Sequence, residues 1–119
     1  TPRIVVKFFI NEVIINKQKI TDELIDRYYN IALRKENMQA FLKFANSNLV
    51  QNTNSLRDLE FPTLILWGEK DLWISSEHAN SFKKDIQNSL VKIYENVGHV
   101  PMEEIPKKSF VDVLNFLTA

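Results

Sequence analysis

From Arg3 to Asn16 the order RIVVKFFINEVIIN leaves only a narrow polar line, Arg3, Lys7 and Asn11, on an otherwise apolar helix. Such a helix needs cover on most sides, and a core helix accounts for it. A membrane span is excluded, because about 20 apolar residues are required and Lys7, Asn11 and Glu12 interrupt this run early. An interfacial anchor would carry more basic charge on its polar face. Thr21 is placed to cap a second helix, with Asp22 and Glu23 in the first turn, where the macrodipole favours negative charge. Leu24, Ile25, Tyr28, Tyr29 and Ala32 then recur on one helical face. Ring packing with hydrogen-bonded rims accounts for the tyrosine pair, and hydroxyls aimed into a substrate cavity are the alternative. A third helical stretch, Met38 to Ala45, gathers Met38, Phe41, Leu42 and Ala45 on one side as a core face.

Between Ser47 and Ser55 the composition turns to Asn, Ser, Gln and Thr, which is loop chemistry. This divides a helical segment, residues 1–55, from a segment of alternating strand and helix, residues 56–119. In the second segment Thr63 to Trp67 (TLILW) is continuously apolar, follows Pro62 and ends at Gly68, as expected for a strand covered on both faces of a parallel sheet. A helix near Glu77 to Ile86 follows, started by Ser75 or Ser76 and facing the core through Ala79, Phe82 and Ile86. Leu90 to Glu95 (LVKIYE) reads as a second strand, buried through Val91, Ile93 and Tyr94. The last helix begins near Pro106, a residue suited to a first turn, and is expected to bury Phe110, Val113, Leu114 and Leu117. Strand, helix, strand and helix in this order predict βαβ construction in an α/β fold. Two parallel strands leave unpaired backbone on both edges, so further strands outside this sequence, or another copy of the chain, are expected to cover them.

Composition narrows the partners. Fifteen basic residues balance fifteen acidic ones, which removes the charge excess that a nucleic acid or an anionic membrane surface would require. Without cysteine there is neither a disulfide framework nor thiolate chemistry, and two histidines argue against a closed zinc site. A cytoplasmic home is the expectation. Two glycines in 119 residues fall far below the usual ~7%, although α/β enzymes need glycine in phosphate or nucleophile turns. With Thr1 and Pro2 in place of an initiator methionine and no signal segment, an excerpt of a longer chain is expected.

Open α/β sheets place their sites in loops at the carboxyl ends of strands. The first such loop is Gly68-Glu69-Lys70-Asp71 and the second is Asn96-Val97-Gly98-His99, so both glycines mark these turns. Neighbouring strands would deliver Asp71 and His99 to one edge, where the carboxylate can accept the imidazole Nδ1 proton and fix the tautomer. Singly, Asp71 would cap a turn and His99 would pack beside Pro101 and Met102. Trp73, Ile74 and Val100 either line an apolar substrate pocket or pack the loops. His78 is expected to face solvent. His99 and Glu103 have the spacing of two metal ligands on a helix, but Pro101 argues against a helix there, and no metal is expected. Glu103 and Glu104 are expected to favour the start of the final helix.

With these residues the sequence resembles the C-terminal part of the α/β-hydrolase superfamily. FPTLILWGEKDLWIS, Phe61 to Ser75, is similar to the family's penultimate core strand and the loop of its catalytic acid, and Asp71 stands where that acid would stand. YENVGHVPMEEIPKKSFVDVLNFL, Tyr94 to Leu117, is similar to the last strand, the histidine loop and the closing helix, with His99 at the histidine position. Their separation of 28 residues fits one intervening helix and strand. Residues 1–60 more weakly resemble the helical lid of many relatives. The resemblance implies two parallel strands with flanking helices, preceded by a lid-like segment, a triad acid and base, and no cofactor.

The family's G-x-S-x-G nucleophile elbow is absent from this sequence. Ser75, Ser76 and Ser81 read as helix-cap or helix-surface residues. The chain alone is therefore expected to be inactive, with a serine nucleophile upstream and a small, largely apolar, ester-like substrate. An aspartate nucleophile would instead imply an epoxide hydrolase or a dehalogenase. The rival from another class is a noncatalytic, self-associating or partner-binding module.

Overall fold

Thr63–Gly68 (β1) and Ser89–Tyr94 (β2) pair in parallel, with Thr63 opposite Ser89 and Gly68 opposite Tyr94. The computed structural model that contains this pair describes residues 2–47 and 53–119. Five of the nonpolar and small positions in β1 are half-buried and only Gly68 is buried, so the strand is less enclosed than its apolar run predicts. The reason is the sheet's width: among the described residues it has two strands, so each is an edge strand with no neighbour on its outer side.

The crossover helix Glu77–Asp85 (α4) buries Ala79, and Ile86 just beyond it is also buried. Phe82, expected in the core, is partly exposed and lies with its ring 6.2 Å from that of Trp67. Its start is marked by the Ser75 hydroxyl, which accepts from the Glu77 N–H, while Ser76 makes no side-chain cap. β2 begins one residue earlier than predicted and buries Ser89 and Tyr94 instead of Ile93, which is exposed. The Tyr94 hydroxyl donates to Asp112 at 2.8 Å. Burial and then the carboxylate push that hydroxyl well above its ordinary pKa.

The helices before the sheet hold the main core. Arg3–Val13 (α1) and Asp22–Ala32 (α2) pack through Val6, Ile10, Ile14, Leu24 and Ile25. Thr21 caps α2 by accepting the Leu24 N–H at 3.1 Å, as its position predicts. Arg3, on the polar line of α1, pairs with Asp22 and Asp26 of α2. α1 stops earlier than predicted, because Ile14 is extended, and a short 3-10 turn follows at Lys17–Lys19. Only one side of α1 is covered: Ile4, Phe8 and Phe9 are exposed.

Two expected core faces are open. Lys35–Ala45 (α3) exposes Met38, Phe41 and Leu42, because it touches the body through α2. The Ala45 side chain and most of the loop placed at residues 47–55 lie outside the described residues. The helix expected from Pro106 is Pro106–Leu117, preceded by a one-turn helix, Pro101–Glu104. The one-turn helix is α5 and the final helix is α6. α6 packs on β1 by one side and leaves Phe110, Leu114 and Leu117 exposed, with Val113 half-buried. No helix among the described residues is long and apolar enough to cross a membrane.

Candidate active site

Asp71 and His99 meet at the carboxyl end of the sheet. His99 Nδ1 is 2.8 Å from Asp71 Oδ2. The other carboxylate oxygen, Oδ1, accepts the N–H groups of Trp73 at 2.9 Å and Ile74 at 3.0 Å. The Asp71 side chain is 4% exposed and the His99 side chain 30%. Burial pushes the Asp71 carboxyl up, but hydrogen bonds from the Ile74 N–H, from His99 and from the Trp73 N–H outweigh it and hold the group below its ordinary value. An ionised carboxylate with fixed oxygens holds the imidazole in one orientation. Nδ1 is occupied, which leaves Nε2 as the nitrogen able to take a proton.

Two glycines let the loops close on each other. A Cβ at Gly68 would overlap the carbonyl oxygens of Val97 and Gly98, and one at Gly98 would overlap the carbonyl oxygen of Val13. Space is the reason, since neither glycine has a positive φ; the left-handed residue of the turn is Asn96, at φ 57°. Backbone bonds then join the loops, from the Glu69 N–H to the Tyr94 carbonyl and from the Lys70 N–H to the Val97 carbonyl, both at 2.9 Å.

Beside the pair lies a cavity of about 140 Å³, lined by Leu66, Trp67, Gly68, Asp71, Ile74 and His99. A larger concavity, near Asn16, Lys19 and Lys108, contains neither Asp71 nor His99. Ile74 is thus on the cavity wall, and its carbonyl accepts the Trp67 indole N–H at 3.2 Å. Trp73 sits over the base, its ring centroid 5.3 Å from that of His99 and 6.0 Å from that of Phe9 of α1. Phe9 was not singled out in the sequence, where it is one apolar residue among many. Val100, paired with these residues in the pocket reading, packs on the helical core instead. Tyr28 and Tyr29 pack there too, and the Tyr28 hydroxyl donates to Glu103 rather than entering the cavity. His78 is exposed.

The adjacent carboxylates do not start the final helix as expected. They sit in α5, and they diverge. Glu103 receives Arg27 at 2.6 Å and the Tyr28 hydroxyl at 3.1 Å, both from α2, which turns it away from any ligand role beside His99. Glu104 is 2% exposed and accepts the backbone N–H groups of Ile15, Asn16 and Gly98. The sequence carries no sign of this, because all three donors are main-chain groups and two are nearly ninety residues away.

No family model matches the chain. Among characterised proteins, lipase 1 of Psychrobacter immobilis is 37% identical over 62 residues, 52% of this chain and 20% of that protein. Monoacylglycerol lipase ABHD6 of Bos taurus is 30% identical over 104 residues, 86% of this chain and 30% of that protein. Among solved structures, a serine hydrolase involved in carbazole degradation (CarC) superposes with a TM-score of 0.86 at 24% identity, over 98% of this chain and 47% of that one. A meta-cleavage product hydrolase (CumD) does so with a TM-score of 0.81 at 15% identity, over 98% and 46%. The chain therefore spans less than half the length of each of these relatives. Two parallel strands with flanking helices, joined to a helical segment and superposing on these enzymes over nearly all of this chain, are a part of the α/β-hydrolase fold, and the lipases among the relatives are consistent with a partial α/β-hydrolase protein.

Proposed function

We propose that this chain supplies the acid and the base of an α/β-fold hydrolase, with Asp71 orienting His99 and residues 1–55 forming a helical lid. The observation that carries the reading is the 2.8 Å contact between His99 Nδ1 and an Asp71 carboxylate whose second oxygen is tied down by two backbone N–H groups. In the reaction Nε2 of His99 takes the proton of the nucleophile and gives it to the leaving group, then takes a proton from the water that releases the acyl group and returns it to the nucleophile, while Asp71 stabilises the imidazolium that forms each time. The nucleophile and the oxyanion donors belong to sequence upstream of this chain. A serine is favoured, and the substrate is an ester-like compound with a largely apolar acyl part. The apolar wall of Leu66, Trp67 and Ile74, with Trp73 and Phe9 outside it, supports that substrate class, as do the lipases among the relatives.

The test is hydrolysis of p-nitrophenyl butyrate by the complete polypeptide and by the 119-residue chain. The complete polypeptide is expected to turn it over and the chain alone is not, since a base without a nucleophile has nothing to activate. Turnover by the chain alone that disappears in His99→Ala would contradict the division of labour. A complete polypeptide inert toward activated esters would remove the serine reading and favour an aspartate nucleophile acting on epoxides or alkyl halides.

A further inference from the structure

We infer that Glu104 is a positioning residue for His99, and that it makes the exit of α1 part of the apparatus that aims the base. The inference rests on the hydrolase reading above. A carboxylate this deeply buried needs donors on both oxygens. Oε1 accepts the Asn16 N–H at 2.7 Å, and Oε2 accepts both the Ile15 N–H at 3.2 Å and the Gly98 N–H at 2.9 Å. One oxygen atom thus holds the residue before the base and the residue after α1's last turn. His99 is held from its own side as well, because its N–H donates to the Val13 carbonyl at 2.8 Å, and Gly98 lies against the same carbonyl with no room for a Cβ.

The peptide groups on either side of the Gly98 Cα are therefore both anchored to residues 13–16, one directly and one through Glu104. Asp71 fixes the ring's Nδ1, but the direction of Nε2 follows from where the backbone places Cα and Cβ of His99. Loss of Glu104 would leave the buried Gly98 N–H and the part-buried N–H groups of Ile15 and Asn16 without their acceptor and free the Gly98 peptide to turn. The imidazole would still reach Asp71 by rotating about its side-chain bonds, while Nε2 would swing off the line to the nucleophile. Glu103 adds a grip on α2 through Arg27 and Tyr28, so adjacent residues of α5 fasten α2 and the exit of α1 to the histidine loop.

The experiment uses the complete polypeptide with Glu104→Gln and Glu104→Ala. Glutamine keeps one acceptor oxygen and presents an amide N–H₂ to the remaining donor. It is expected to lower kcat about 10-fold and alanine about 100-fold, with KM for p-nitrophenyl butyrate within about threefold of wild type. In the same proteins the low-field proton resonance of the His99 Nδ1–H should broaden or shift while the methyl spectrum of the α1–α2 core is retained. Should alanine fail to fold, glutamine still carries the test. A folded Glu104→Gln with wild-type kcat and an unmoved Nδ1–H resonance would overturn the assignment, as would a loss confined to KM. His99→Ala separates this from failure of the hydrolase reading: if that variant keeps its turnover the reading falls, whereas the resonance still reports whether Glu104 holds the ring.

Discussion

His99 and Asp71 come from loops 28 residues apart, and their contact, Nδ1 to Oδ2 at 2.8 Å, is set by a carboxylate that cannot rotate. Rotation is blocked because Oδ1 is already bonded to the N–H groups of Trp73 and Ile74. Asp71→Asn keeps an oxygen for those bonds but offers the wrong partner to Nδ1 if the amide nitrogen faces the ring. In the complete polypeptide kcat for p-nitrophenyl butyrate should fall by about 10⁴, with a circular dichroism spectrum like that of wild type. Steady-state kinetics on both proteins checks this, and an unchanged kcat would remove Asp71 from the reaction.

Acid should expose the same contact. The folded-state pKa of Asp71 lies below its unfolded value of about 3.9. Its ionised contacts therefore contribute stability in full above the unfolded pKa, and that contribution is lost as pH falls through the folded pKa. The stability difference between wild type and Asp71→Asn, from urea melts of the complete polypeptide, should be constant above about pH 5 and shrink below about pH 4. A difference that grows on acidification would contradict this sign.

Close approach of the two loops predicts a stability effect at Gly68. Alanine there places a methyl group on the backbone carbonyls of Val97 and Gly98, which no side-chain adjustment relieves. Gly68→Ala is expected to cost about 3 kcal/mol or more by denaturant melts. A cost below about 1 kcal/mol, the range of ordinary surface changes and small repackings, would mean that the loops sit farther apart.

Trp73 stands between the base and the exposed face of α1, in ring contact with both His99 and Phe9. If the acyl chain lies along these rings, Trp73→Ala should raise KM for p-nitrophenyl octanoate by about 10-fold while changing KM for the acetate ester by less than about 2-fold. Equal effects on the two esters would place the acyl chain elsewhere.

The site was more legible in the sequence than the core. Asp71 and His99 could be found because each follows an apolar strand and a glycine, and strand ends in a parallel sheet converge on one edge. Burial was overestimated for the outer helices. Periodicity marks Phe41 and Leu42 of α3, and Phe110, Leu114 and Leu117 of α6, as apolar faces, but it cannot say whether this chain contains what covers them, and all five are exposed. Glu104 was illegible for another reason: a carboxylate serving main-chain donors leaves no complementary residue to notice, so it read as a charge beside a helix start. Phe9 was hidden by an apolar run whose lining face the sequence alone does not mark.

The exposed faces carry a prediction of their own. Phe61, Phe110 and Leu117 are each more than 60% exposed, and both sheet edges are unpaired among the described residues. The 119-residue chain alone should self-associate in gel filtration, at micromolar concentration, and the complete polypeptide should do so less. A monodisperse monomer of the chain alone would contradict the account of the open faces.

His99→Ala in the complete polypeptide bears most directly on whether this ring is the base. With p-nitrophenyl butyrate the variant should lose at least about 10³-fold in kcat, with KM within a few-fold of wild type and the same melting temperature within a few degrees. A folded variant that keeps the wild-type kcat would contradict the assignment of His99, and with it the role given to Asp71.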